Sequence, residues 1–165
     1  MKKNVSAITA ISTLAIASIL ILVPPAVLAA KDTTSGVHFQ GPAPTIQKSG
    51  NTATSTAFTL AGLGQGSGTA TLTVTGVFHV QCRNPGGNIA PGQDTTATGT
   101  SGDFGFTSQN GKASIPSLHA TLNPSTANTS HSCPNSSWAI VGQGTVTSAT
   151  LTVRFNGQTI YQTSA

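Results

Sequence analysis

The stretch TATLTVTGVFHVQC, Thr69 to Cys82, alternates more regularly than any other part of the chain. Its even positions read Ala70, Leu72, Val74, Gly76, Phe78, Val80 and Cys82; its odd positions are mainly Thr69, Thr71, Thr73, Thr75, His79 and Gln81. A period of two with β-branched residues predicts a long strand with one face in the core and the other in water. That phase puts Cys82 on the inward face at the strand's end, where a bridge to a neighbouring segment would be buried.

Similar short strands are predicted on both sides of it. GVHFQ, PTIQK and TATSTAFTL precede it, with a turn at Ser49-Gly50-Asn51 and a glycine-rich connection AGLGQGSG over 61–68. TTATGTSGDFGF, KASIPSLHATL, WAIVGQGTV, SATLTVRF and QTIYQ follow, with hairpin turns expected at Asn110-Gly111 and Asn156-Gly157 and a bulge or sheet edge at Pro116. Glutamate is missing altogether, and Thr, Val, Gly and Ser dominate. Eight or nine short antiparallel strands predict an all-β, single-domain, two-sheet sandwich, an immunoglobulin-like Greek key in preference to a closed barrel. The immunoglobulin residue spacing is absent, since the order here is Cys82, Cys133, Trp138 and the tryptophan does not lie between the cysteines.

The first residues carry Lys2 and Lys3, the apolar run AISTLAIASILILV, the break Pro24-Pro25 and the small-residue site Val27-Leu28-Ala29. These predict a secretory signal peptide over 1–29 and a mature domain over 30–165, secreted or extracellular and able to associate with the cell surface, without stable membrane insertion once the leader is removed. The mature part keeps Lys31, Lys48, Arg83, Lys112 and Arg154 against Asp32, Asp94 and Asp103, a net charge of +2. These charges are scattered and not interleaved with aromatics, so nucleic acid is not an expected partner.

Two cysteines in an exported chain predict one intramolecular disulfide, Cys82 to Cys133. The bond would bring CRNPGGNIAPGQ, Cys82 to Gln93, to the same corner as SHSCPNSSW, Ser130 to Trp138. In the first segment Asn84, Asn88 and Gln93 could pair with sugar hydroxyls or another polar ligand; equally, Asn caps local backbone groups while Gly and Pro shape the turn. Asn135 and Trp138 are the matching candidates in the second segment. Trp138 and Tyr161 are the residues able to stack on a sugar, although aromatics make up only 5% of the chain.

His38, His79, His119 and His131 are dispersed and lack metal-ligand spacing, and Cys133 is not followed by the His and Met of a blue-copper pattern. With no Glu, three mature Asp and no G-x-S-x-G, a two-carboxylate glycosidase has almost nothing to build with and no nucleophile elbow is present; Ser, His and Asp leave a triad open by arithmetic, but nothing local suggests one. No catalytic residues, no metal and no cofactor are therefore expected. The rows Thr71, Thr73, Thr75 and Thr96, Thr98, Thr100 read as solvated strand faces, with an array matched to ordered water as the sharper alternative. Asn128-Thr129-Ser130 and Asn135-Ser136-Ser137 fit the glycan-acceptor pattern.

At CRNPGGNIAPGQ, SCPNSSW and SATLTV the chain resembles a group of small exported bacterial β-proteins that carry a cysteine, an N-x-G-G-N-x-x-P-G-Q-like loop and then C-P-N-x-x-W. The resemblance spans Gly36 to Tyr161 and implies an exported sandwich with no assigned activity. The expected function is that of a non-enzymatic structural or interaction module at the cell surface or in the medium, toward an unknown extracellular partner. The alternative is a carbohydrate-binding module that takes cell-wall or environmental glycan at the Cys82/Cys133 corner.

Overall fold

The structure, a computed structural model, describes residues 36–126 and 133–165. The leader over 1–29, the Asn128 acceptor pattern and His131 lie outside the described residues. Within them the chain is an antiparallel, sandwich-like all-β domain closed by the Cys82–Cys133 disulfide. No helix among the described residues is long and apolar enough to cross a membrane.

The strands in chain order are β1 (His38–Phe39), β2 (Ile46–Ser49), β3 (Thr52–Ser55), β4 (Phe58–Ala61), β5 (Ser67–Arg83) and β6 (Ile89–Pro91). Then come β7 (Thr95–Thr100), β8 (Phe104–Thr107), β9 (Lys112–Ile115), β10 (His119–Thr121), β11 (Ala139–Phe155) and β12 (Gln158–Ser164), with one 3-10 turn at Pro124–Thr126. The backbone of the domain is the ladder between the two 17-residue strands β5 and β11, which runs from Ala139 opposite Arg83 to Phe155 opposite Gly68. β12 pairs with the far edge of β11, while β8, β7 and β6 lie end to end along the other edge of β5.

The predicted alternation is observed. Ala70, Leu72, Val74, Gly76, Phe78, Val80 and Cys82 are all buried, and the threonines between them are exposed or half-buried. β11 faces inward at Gly144 and Val146, and then at Ala149, Leu151, Val153 and Phe155. A bulge between Val146 and Ser148 shifts the phase by one residue, which is why a single strand reads in sequence as two.

The second layer is a ribbon of interrupted strands. β3 pairs with β10 and β4 with β9, and the register is the same on both sides of the gap (Thr54 opposite His119, Phe58 opposite Ile115). Pro116 cannot donate to a ladder, so pairing lapses there. Ser55 spans the lapse: its N–H donates to Leu118 O at 2.9 Å, its Oγ accepts from Leu118 N–H at 3.1 Å, and its carbonyl accepts from the Ser117 hydroxyl at 2.6 Å. This explains how a serine can be fully buried without an unsatisfied group. β1 and β2 line the outer edges of β4 and β3.

Twelve strand segments therefore stand where eight or nine were expected. Three predicted strands are each split, at Thr56-Ala57, at Ser101–Asp103 and at Pro116–Leu118; a further short strand, β6, lies inside the loop after Cys82. The two segments after Trp138 merge into β11. The observed pairing establishes the sandwich-like architecture and the disulfide, and it does not establish an immunoglobulin-like strand order. The Asn156-Gly157 hairpin joins β11 to β12 as predicted, whereas Asn110-Gly111 makes a tight turn closed by the Gln109–Lys112 bridge that leads from β8 in the first sheet to β9 in the second; φ is positive at all four residues.

Side chains from both layers form one core cluster, including Leu72, Val74, Leu151 and Val153 from the first sheet and Ala53, Leu60, Ala113 and Ile115 from the second. Within the cluster Tyr161 packs edge-on against Phe39, with ring centroids 4.8 Å apart, and is only 5% exposed. Burial raises its pKa above the ordinary tyrosine value, partly opposed by a hydrogen bond with Thr163. The folded state thus holds the phenolic proton more tightly than the unfolded chain does. That contribution to stability is complete below the ordinary value, about 10, and is lost as pH rises through the higher folded value. Thermal melts across this range should show an alkaline fall in stability that shrinks in Tyr161→Phe; an identical fall in the variant would remove Tyr161 as its source.

Candidate functional site

The disulfide corner is built from the end of the β5–β11 ladder. Cys82 is fully buried, with Ala90 of β6 opposite it on one side and Ile140 of β11 on the other. Its bond to Cys133, with Cα atoms 5.6 Å apart, draws the chain before Trp138 onto this end. Trp138 is half-buried and packs against the core cluster, so its indole is largely a packing element. Tyr161 lies buried in the aromatic cluster with Phe39 and Phe58 and offers no sugar-stacking face, contrary to that sequence reading.

The amides of the corner divide into two groups. Asn84 closes the loop: its Oδ1 accepts from Asn88 N–H at 2.9 Å, its carbonyl accepts from Gly87 N–H at 2.9 Å, and its N–H donates to Asn88 O at 3.0 Å. Asn135 does the same on the other side, its Oδ1 accepting from Ser137 N–H at 3.1 Å and from the Ser137 hydroxyl at 2.6 Å. The side chains of Asn88 and Gln93 are exposed and make no hydrogen bond among the described residues. Asn84→Ala should therefore lower stability by about 1 kcal/mol, whereas Asn88→Ala should leave it unchanged. Urea unfolding of the two variants checks this, and equal effects would contradict the division.

Beside these amides stand two large apolar side chains. Ile89, 55% exposed, pairs opposite Arg83; Ile140, 40% exposed, pairs opposite Cys82. They are the exposed large hydrophobics among the described residues, and both border the disulfide. Nothing in the sequence pattern set them apart, because Ile89 sits in a loop without a period and Ile140 in a run that reads as a strand.

Of the described histidines, His38 contacts Gly36 O, His119 contacts Thr54 Oγ1 at 2.9 Å, and His79 contacts Asp94 Oδ2 at 2.8 Å. They are brought into no common site, and no metal-binding group of three or more His, Cys, Asp or Glu occurs among the described residues. The His79–Asp94 pair is more than half exposed on the outer face of the first sheet. The hydroxyl–imidazole contact among the described residues, Thr54 Oγ1 with His119 Nδ1, belongs to a different histidine from the one that meets Asp94, so the pieces of a hydrolytic triad are not brought together in it.

The two threonine rows do come together. Thr73 stands directly opposite Thr100, and Thr75 opposite Thr98, on the outer face of β5 and β7. On the other side of β5 the pattern continues with Thr150 opposite Thr73 and Thr152 opposite Thr71. Where β7 meets β10 the surface dips into a trough of about 630 Å³, with Thr73, Thr75, Thr98 and Thr100 along one side and His119 and Thr121 along the other. Gly99 permits this junction, since a Cβ there would lie 1.9 Å from Thr121 O. Sequence reading found the rows but had no means of pairing them.

Comparison with known proteins returns no matching family model, no similar curated protein and no similar solved structure.

Proposed function

We propose that the chain is an exported, non-enzymatic interaction module that acts at the cell surface or in the surrounding medium and presents its disulfide corner to a partner. The observation that carries this reading is that the sheet end held by the Cys82–Cys133 bond exposes a large apolar side chain on each face, Ile140 on the face of Cys82 and Ile89 on the face of Arg83. Exposed large apolar side chains on a rigid support favour burial against a partner, because their ordering has already been achieved in the free protein. The leader-like N-terminus supports the address, and the scarcity of carboxylates supports a role without turnover.

Native fractionation of medium, wall and membrane, with sizing of the recovered species, tests it. The expected result is a complex or wall retention that is weakened in Ile89→Asp and Ile140→Asp variants that melt like the parent. A free monomer in the medium, unchanged by either substitution, would count against the reading. The second reading is a carbohydrate module at the same corner, favoured by the exposed amides of Asn88 and Gln93, which make no hydrogen bond among the described residues. It requires saturable binding to wall polysaccharide that is lost in Asn88→Ala/Gln93→Ala.

A further inference from the structure

We propose a second site, separate from the corner: the threonine trough between β5, β7 and β10 binds a neutral polysaccharide chain. Among the described residues the lining of the trough contains no Lys, Arg, Asp or Glu, and His119 is the one titratable side chain. Such a surface offers nothing to balance a phosphate, a sulfate or a uronic acid, so the complementary ligand is uncharged.

The spacing of the grid narrows the class. Residues directly opposite on antiparallel strands have Cβ atoms about 4.5–5.5 Å apart, and same-face neighbours along a strand repeat at about twice the 3.4 Å rise. Thr73, Thr75, Thr98 and Thr100 thus form a small lattice in which each corner carries one hydroxyl and one methyl. A pyranose presents hydroxyls at its rim and C–H groups on its faces, and meets both. The hydroxyls of Thr75 and Thr98 make no hydrogen bond among the described residues. The volume lies within the range of roughly 300–1,000 Å³ usual for ligand sites, and its concave shape suits a chain better than a flat solid surface.

The walls are fixed before any ligand arrives. Thr126 Oγ1 accepts from Thr98 N–H at 2.8 Å and lies 2.9 Å from Thr98 O and 2.7 Å from Asn123 O, while Asn123 N–H donates to Thr98 O at 2.9 Å. Across the trough the contact of His119 Nδ1 with Thr54 Oγ1 orients the imidazole and leaves Nε2 for a ligand hydroxyl. Preorganised polar groups lose little entropy on binding, which offsets in part the absence of a tryptophan platform.

The test is affinity electrophoresis of the mature chain through gels containing dextran, soluble starch, hydroxyethyl cellulose or, as a charged control, alginate, together with sedimentation on cellulose and chitin. At least one neutral polysaccharide should retard or sediment the protein, and alginate should not. Thr75→Glu and Thr98→Glu, each placing a carboxylate in the trough from an exposed position, should weaken that binding about tenfold or more with the melting temperature unchanged. Asn88→Ala/Gln93→Ala should bind as the parent does. If no neutral polysaccharide binds, if the glutamate variants bind like the parent, if binding is lost in the corner variant instead, or if the protein shapes ice crystals without retaining any glycan, the proposal is overturned. Failure of this site leaves the corner reading standing, because its own variants are different.

Discussion

Replacing Cys82 and Cys133 together by alanine lowers the stability of the domain by about 4 kcal/mol, as the chain-entropy relation gives for a bridge spanning 51 residues. For a domain of this size that is a fall in Tm on the order of 10 °C or more. It would remove a large share of the roughly 5–15 kcal/mol by which single domains are stable. The denaturant slope should rise as well, because an unbridged unfolded chain exposes more surface. Chemical or thermal unfolding measures both quantities. The loss should also be local in hydrogen exchange: amides at the Cys82 end of the β5–β11 ladder open first, while those near Leu72 and Leu151 keep their protection. A double variant within 1 kcal/mol of the parent would mean that the corner holds itself together without the bond.

The second large effect belongs to the middle of the same ladder. Leu151 is fully buried and stands directly opposite Leu72, itself fully buried. Leu151→Ala should lower stability by about 3 kcal/mol, the transfer term for the lost atoms plus the cavity between two sheets that cannot collapse onto it. Ile140→Ala, on the same strand but 40% exposed, should change stability by less than about 0.5 kcal/mol. Comparing the two in urea separates burial from strand position. If both variants lose the same amount, the inward phase assigned to β11 after its bulge is wrong.

The alternation from Ala70 to Cys82 was legible because one buried face imposes a period of two, and the same phase placed Cys82 inward and its partner at the corner. The bulge at Val146/Ser148 was not legible as a bulge. A phase change and a strand end look alike in sequence, and only the pairing with Thr75 and Gly76 distinguishes them. Strand β6 escaped notice because three residues ending at Pro91 carry no period of their own; their pairing with Gln81 to Arg83 makes them a strand.

The candidate site shows the same division. Asn84 and Asn135 cap their own loops through contacts two to four residues away, which is within the reach of local reasoning. The exposure of Ile140 depends on how far the second layer covers the inner face and that of Ile89 on its pairing opposite the outward Arg83, and the lattice of Thr73, Thr75, Thr98 and Thr100 depends on the register between β5 and β7. Both are long-range facts. Composition supplied the residues of the trough, and topology supplied their arrangement.

The central claim is that an exported chain is locked by one bridge between Cys82 and Cys133. Intact mass spectrometry of the protein recovered from its native host, alkylated before and after reduction, tests it most directly. The account predicts a species beginning at Ala30 that takes up no alkyl group until it is reduced and two afterwards. Two groups added without reduction, or a mass that retains residues 1–29, would contradict it.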